Sequence, residues 1–88
     1  MDHPTLAYRP IPCAQHERLE FSVLRGLRLD LTYRAANGTV TGRVLPLDVM
    51  TRHGAEWLKF RNADGVEEEI RLDAILDFHE QPPPRARP

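Results

Sequence analysis

The apolar positions of this 88-residue chain follow two different periods, and the change of period marks a change of secondary structure. Within residues 13–26, "CAQHERLEFSVLRG", Leu19 and Val23 are four positions apart, which is the spacing of one helix face. Phe21 and Leu24 widen the apolar side. The pattern therefore predicts one helix of about three turns.

Both ends of this helix carry sequence signals. Pro10 and Pro12 favour an extended backbone immediately before it. Gly26 is placed to end the helix in a left-handed conformation, and Arg25 puts a cation at the negative end of the helix dipole. Cys13, the only cysteine, is predicted to be a small buried hydrophobe at the joint between the extended segment and the helix.

From residue 27 onward the apolar period is two, which is typical of strands with one buried face. Asn37-Gly38 predicts a hairpin turn, Gly42 predicts a bend or bulge inside a strand, and a further turn is expected near His53-Gly54. The predicted strands cover residues 27–34, 40–52 with a bend at Pro46, 55–62, 66–73 and 74–78.

One N-terminal helix followed by about five short strands predicts a mainly β protein. The expected fold class is a small Sm-like or SH3-like antiparallel β-barrel, because closing a sheet removes its exposed edges. We expect a flexible leader at 1–7, one folded domain at 8–79 and a disordered Pro/Arg tail at 80–88, where the last eight residues are half proline. The domain is expected to be a monomer.

Composition and charge narrow the function classes. A formal net charge of −1 gives no overall field that favours nucleic acid. The charges are segregated, however: residues 25–52 hold five arginines against two aspartates, and residues 66–77 hold five acids against one arginine. On neighbouring strands these two groups would partly neutralise each other. A single cysteine, the lack of an apolar run of about 20 residues and the lack of a signal peptide predict a cytoplasmic protein that does not enter a membrane.

The sequence offers little catalytic chemistry. It has no phosphate-binding glycine motif and no serine elbow, and Cys13 with His16 is the best candidate for a nucleophile pair. The histidines lack paired spacing for a metal: His3, His16, His53 and His79. We expect no enzyme activity, no metal and no cofactor, and we interpret the chain as a binding module. Aromatic and basic residues alternate only in "WLKFR" at 57–61, so direct nucleic-acid binding is not favoured.

Several short motifs, in a fixed order, resemble a known family. They are "YRPIPC" at 8–13, "LE" at 19–20, "L-x-L-x-L" at 27–31, "LDVMTR" at 47–52, "EWLKF" at 56–60 and "EIRLDAILDF" at 69–78. Together they resemble the Rho-binding antiterminator family, Rof, over nearly the whole predicted domain. The motifs at the two ends of this region are the most specific in combination.

The resemblance implies a helix packed on an Sm-like barrel that binds the hexameric transcription termination factor Rho. Members of the family cover the primary RNA-binding site in the N-terminal OB-fold domain of Rho, and termination is suppressed. Carboxylates on a rigid helix can replace RNA phosphates opposite arginine and lysine. Carried over to this sequence, the resemblance assigns Rho contacts to Gln15, His16, Glu17, Glu20, Arg52 and His53.

The chain departs from the family at the predicted contact helix. Family members often have consecutive acids directly after the cysteine, where this sequence has Ala14 and Gln15. Arg18 also lies between Glu17 and Glu20, and residues 14–26 contain two glutamates against two arginines. Contact would then depend on hydrogen bonds and shape, or on the acidic 66–77 segment, or on a different partner surface. The alternative function is an Sm-like module that binds single-stranded RNA directly.

Overall fold

One helix precedes five strands in the computed structural model, which describes residues 7–82 of the chain. The elements are α1 at Cys13–Arg25, β1 at Leu29–Ala35, β2 at Gly38–Arg52, β3 at Ala55–Arg61, β4 at Glu67–Arg71, a single 3₁₀ turn at Leu72–Ala74, and β5 at Ile75–Glu80. The predicted helix and the predicted mainly β architecture are confirmed. The predicted leader and tail lie outside the described residues, except for Ala7 and for residues 80–82.

The strands form one antiparallel sheet in the order β4-β3-β2-β1-β5. β2 is fifteen residues long and serves both halves, pairing first with β1 and then with β3. Its register shifts between Pro46 and Asp48, where the sequence predicts a bend, whereas the bend or bulge predicted at Gly42 is wrong. Gly42 pairs regularly with Leu31. The ladder breaks near Pro46 because proline has no backbone N–H to donate, whereas glycine keeps its N–H.

The predicted closure into a barrel is not seen in the backbone hydrogen bonds. Within residues 7–82, β4 and β5 are the two edges of the sheet, and no ladder joins them. The 3₁₀ turn at Leu72–Ala74 connects these two edge strands, and the side chain of Leu72 is completely buried there. The molecule is therefore a five-stranded antiparallel sheet with one N-terminal helix.

The core lies between α1 and the sheet, and the predicted alternation of β1 is confirmed. Leu29, Leu31 and Tyr33 are buried, while the residues between them are only partly so. The buried cluster consists of Leu19, Leu29, Leu31, Tyr33, Val44, Leu58, Phe60, Leu72 and Phe78. Tyr33 and Phe60 meet edge to face with their ring centroids 5.7 Å apart, a favoured geometry for aromatic pairs.

The predicted apolar face of α1 was too wide. Leu19 is fully buried and Ser22, three positions later, is buried with it. Phe21 is 52% exposed and Leu24 is 82% exposed, so neither widens the core face. At about 100° per residue, Phe21 lies on the opposite side of the helix from Leu19. The contact with the sheet is thus a narrow stripe, and two large apolar side chains remain at the surface.

Cys13 is exposed, so the prediction that it fills a buried joint is wrong. It is the first residue of α1, directly after Pro12, and lies before the helix positions that meet the sheet. Ile11 packs against the core instead. The far end of α1 is as predicted, because Gly26 adopts a left-handed conformation with φ 64° and its N–H contacts carbonyls of the last turn.

The turn between β2 and β3 follows from its backbone conformation. His53 and Gly54 both have positive φ, 54° and 75°, as the predicted turn between β2 and β3 requires. Positive φ at both central residues defines a type I′ hairpin, whose twist matches that of the strands. The turn between β1 and β2 uses Ala36 and Asn37, one position earlier than the predicted Asn37-Gly38 pair.

We expect Leu19→Ala to lower the free energy of unfolding by about 2–5 kcal/mol, because it removes a fully buried side chain and leaves a cavity. Leu24→Ala is the matched control on the same helix, and we expect a change within about 0.5 kcal/mol. Urea denaturation followed by circular dichroism measures both. Equal losses in the two variants would show that α1 does not pack as described.

Candidate functional site

Glu56, at the start of β3, joins α1 to the β2–β3 turn. Its Oε2 lies 3.1 Å from Nε2 of His16, and the hydroxyl of Tyr8 donates to its Oε1 over 3.4 Å. Glu56 is two residues beyond Gly54, so these contacts hold the first turns of α1 and the β2–β3 turn at the same end of the molecule. This end contains most of the residues that the sequence assigned to partner binding.

Tyr8 fixes the extended segment before α1. Its ring packs against the core, and the guanidinium of Arg71 lies 5.6 Å from the ring centroid. Burial, together with the negative charge of Glu56, raises the pKa of Tyr8. The phenol therefore stays protonated at neutral pH and acts as the hydrogen-bond donor to Glu56.

Asp73 holds the same segment from the other side. Its Oδ2 accepts the backbone N–H of Arg9 at 3.0 Å, and Arg71 donates to both carboxylate oxygens at 2.9 and 2.6 Å. The hydrogen bonds from Arg71 are the largest cause of the lowered pKa of Asp73, and the Arg9 N–H adds to them. The segment leading into α1 is thus anchored at both Tyr8 and Arg9.

Of the four predicted contact residues on α1, three have exposed side chains and one has a side chain that is mostly buried. Gln15 and Glu17 are exposed, and the side chain of Glu20 is 51% exposed. We name Glu17 and Glu20, which lie about 60° apart around the helix, the acidic helix face; Gln15 lies on another side of α1. His16 is only 22% exposed, and its ring lies between Glu20, at 3.4 Å, and Glu56. His16 is therefore a positioning residue that links the helix to the sheet.

The two predicted contact residues at the β2–β3 hairpin, Arg52 and His53, lie in different surroundings. Arg52 lies on the outer side of the sheet, where its guanidinium stacks 4.8 Å from the ring of Trp57 and forms an ion pair with Glu69 at 2.7 Å. Side chains alternate along a strand, so Trp57 and Glu56 lie on opposite faces. The structure therefore does not bring Arg52 together with the helix residues. His53 is exposed at the tip of the turn.

Arg18 does not neutralise the acidic helix face, although it lies within it in sequence. Its guanidinium forms two hydrogen bonds with Glu80, at 2.7 and 2.8 Å, and lies 4.2 Å above the ring of Phe78. The hydrogen bond from Arg18 is the main cause of the lowered pKa of Glu80. Asp77 lies on β5 beside Gln15 and Arg18, on another side of α1 from Glu17 and Glu20, and contacts His79 at 3.0 Å.

The acidic segment 66–77 is largely engaged by basic or donor groups, but of the predicted pairing with the arginines of residues 25–52 the ion pairs show only that of Arg52 with Glu69. The contacts are Glu67 with Lys59 and Arg61, Glu68 with Tyr33 and Asn62, Glu69 with Arg52, and Asp73 with Arg71. The hydrogen bond from Arg61 lowers the pKa of Glu67 most strongly. The most accessible carboxylates near α1 are therefore those of the acidic helix face and Asp77.

Sequence reasoning missed Glu56, although a signal for it was present. Glu56 lies on the same face of β3 as Leu58 and Phe60, which are both fully buried. A carboxylate at a core-facing position needs hydrogen-bond donors, so the strand pattern already implies partners for Glu56. Tyr8 and His16 are those donors, and their identity depends on contacts 48 and 40 positions apart in the chain.

Other kinds of site find little support in the part of the chain that the structure describes. Both ring nitrogens of His16 contact carboxylates, and among the described residues no hydrogen bond joins His16 to the thiol of Cys13. Among residues 7–82 no three His, Cys, Asp or Glu side chains are grouped closely enough to hold a metal ion. The only described helix is too short to cross a membrane.

Comparisons with known proteins identify the class of fold. The sequence matches no known protein family, and no curated protein is detectably similar to it. In structure, the chain is similar to part of the proteasome accessory factor B/C (PafBC) of Arthrobacter aurescens, with a TM-score of 0.71 and 14% sequence identity. The match covers 84% of this chain and 12% of that one. At this identity the likeness shows a shared small antiparallel β-sheet fold alone.

We expect Asp73→Asn to lower the free energy of unfolding at pH 7 by about 1–3 kcal/mol, because the variant cannot form the charge-assisted hydrogen bonds of the carboxylate. The folded-state pKa of Asp73 lies below its ordinary value of 3.8. Its stabilising contribution is therefore complete above that value and is lost as the pH falls through the lowered pKa. The acid-induced loss of stability below about pH 4 should be smaller in the variant than in the wild type.

Urea denaturation at several pH values between about 7 and 2.5 measures this difference. Asp64→Asn, a substitution of an exposed turn residue, is the control, and its free energy of unfolding at pH 7 should stay within about 0.5 kcal/mol of the wild type. Parallel pH profiles for the wild type and Asp73→Asn would contradict the role given to Asp73.

Proposed function

We propose that this domain binds transcription termination factor Rho and covers the primary RNA-binding site in the N-terminal OB-fold domain of Rho, which suppresses Rho-dependent termination. The ordered motifs between residues 8 and 78, which resemble the Rof family, support this function. The observation that carries the proposal is the pairing of Arg18 with Glu80. It turns Arg18, the cation between Glu17 and Glu20 in sequence, toward β5 and leaves Glu17 and Glu20 accessible.

Electrostatic complementarity explains how such a surface would act. Proteins bind single strands with arginine, lysine and aromatic side chains, so an RNA site attracts carboxylates as well as phosphates. Arginine binds carboxylates and phosphates through the same forked geometry. The carboxylates of Glu17 and Glu20 would pair with these cations. The hairpin tip at His53 would add contacts from the same end of the molecule.

Rigidity favours this mode of binding. α1 is held by the buried side chain of Leu19 and by the contact between His16 and Glu56. A contact helix that is already ordered loses little conformational entropy when its partner binds. The engagement of Glu67 and Glu69 by basic neighbours makes the 66–77 segment a weaker candidate for the main contact.

The proposal also covers the barrel fold, the oligomeric state and the cellular location of the protein. The sheet is interpreted as an Sm-like barrel whose hydrogen-bonded ladder stays open between β4 and β5. The long β2 strand, shared by both halves of the sheet, supports this interpretation. The protein would act as a monomer in the bacterial cytoplasm, as an inhibitor without enzymatic activity or cofactor.

We expect Glu17→Lys combined with Glu20→Lys to weaken binding to Rho by at least about 10-fold, because like charges would then face each other. Binding is measured with purified Rho from the same species, and inhibition as the loss of RNA-stimulated ATPase activity, which excess RNA should restore. Asp64→Lys combined with Glu67→Lys makes the same change in net charge away from α1 and should bind like the wild type.

Two outcomes would count against this function. If the wild-type protein leaves both RNA binding and ATPase activity of Rho unchanged at large molar excess, Rho is not the partner. If the Glu17/Glu20 variant keeps wild-type affinity and a folded circular dichroism spectrum, the interface lies elsewhere on the domain.

A further inference from the structure

Arginines gather at the end of the molecule away from the contact between His16 and Glu56. Arg25, Arg28 and Arg43 line a groove of about 350 Å³, and Arg28, Arg43 and Arg61 line a second groove of about 260 Å³. Because the two share Arg28 and Arg43, they form one continuous concave surface. We name it the arginine groove and define it by these four residues.

The arginine groove lies at the opposite end of α1 and β3 from the contact between His16 and Glu56. α1 runs from His16, beside Glu56, to Arg25 at the groove. β3 runs from Glu56 to Arg61, which also lines the groove. At the rise per residue, Arg25 lies about 13 Å from His16 and about 8 Å from Glu20 along the helix, and Arg61 lies about 17 Å from Glu56 along the strand. A ligand confined to the four arginines would leave Glu17 accessible.

The positive charge of the groove is only partly compensated. Among residues 7–82, neither Arg25 nor Arg28 has an ion pair, whereas Arg43 pairs with Asp30 at 3.0 Å and Arg61 pairs with Glu67 at 3.1 Å. Both of these pairs are exposed to solvent, where ion pairs contribute little and phosphate can compete for the guanidinium. The groove thus offers four guanidinium groups against two carboxylates.

An exposed aromatic ring lies beside the groove. Phe21 is 52% exposed, and the guanidinium of Arg25, one turn later on α1, lies 5.3 Å from its ring centroid. An exposed ring next to arginine is the usual platform on which a base of a single strand stacks. Pro82 also lines the groove.

We propose that the arginine groove binds the phosphate backbone of single-stranded RNA, with Phe21 stacking on one base. Forked guanidinium groups match phosphate oxygens, and successive arginines along a groove match the repeating charge of a strand. The exposed ring favours an unpaired strand, because the bases of a duplex are already stacked on one another. This function is additional to the proposed binding of Rho, because the four arginines lie beyond Glu20 on α1 or on the sheet, and Phe21 lies between them and the acidic helix face.

Fluorescence anisotropy with a labelled single-stranded RNA of about 12 nucleotides tests the proposal on the full chain. The wild type should bind at about 50 mM salt and bind much more weakly at about 200 mM. Arg25→Gln combined with Arg28→Gln should lower affinity at least about 10-fold and reduce the slope of log affinity against log salt by about 0.7 for each phosphate that is no longer neutralised. Phe21→Ala should lower affinity about 5-fold with the salt dependence unchanged.

Arg9→Gln combined with Arg34→Gln is the matched control, because it removes two exposed arginines that lie outside the groove. Its affinity for RNA should stay within about twofold of the wild type. The Arg25/Arg28 variant should also bind Rho as the wild type does, so that failure of one function is distinguishable from failure of the other.

Three results would overturn the proposal. The first is an absence of RNA binding by the wild type at about 50 mM salt and high protein concentration. The second is an equal decrease of affinity in the Arg9/Arg34 control, which would indicate diffuse attraction by surface charge. The third is equal competition by AMP or by a duplex of the same length, which would assign the groove to another phosphate ligand.

Discussion

The burial of Leu19 between α1 and the sheet is the contact on which the exposed surface of the helix depends. With only a narrow stripe of the helix facing the core, rotation of α1 by one position would bury a different set of side chains. Two polar contacts, from His16 to Glu56 and from Arg18 to Glu80, hold the helix in this orientation. The accessibility of Glu17 and Glu20 is a consequence of that packing.

Charge is separated along the molecule even though its net value is −1. Cross-strand pairs such as Arg52 with Glu69 neutralise the outer side of the sheet. What remains is an acidic surface near the start of α1 and the arginine groove near its end. The near-zero net charge therefore results from two oppositely charged regions of the surface, and each region can have its own ligand.

The structural likeness to part of PafBC and the motif resemblance to the Rof family address different questions. The first concerns the backbone, since 14% identity carries no information about binding partners. The second concerns particular side chains, and the proposed binding of Rho depends on it. Tyr8 and Glu56 lie within the quoted motifs, and their hydrogen bond helps to hold the segment before α1 against the sheet.

The sequence by itself determined the features that depend on near neighbours. The bounds of α1, the alternation along β1 and the turn at His53-Gly54 follow from local periodicity and from allowed φ values, so all three were predictable. Only the tertiary structure decided which helix positions face the core, how Arg18 reaches Glu80 across 62 positions, and which arginines form one groove. These features depend on contacts between residues far apart in the chain, and no local pattern specifies such contacts. The exposure of Cys13, which the sequence led us to place in the core, has the same cause.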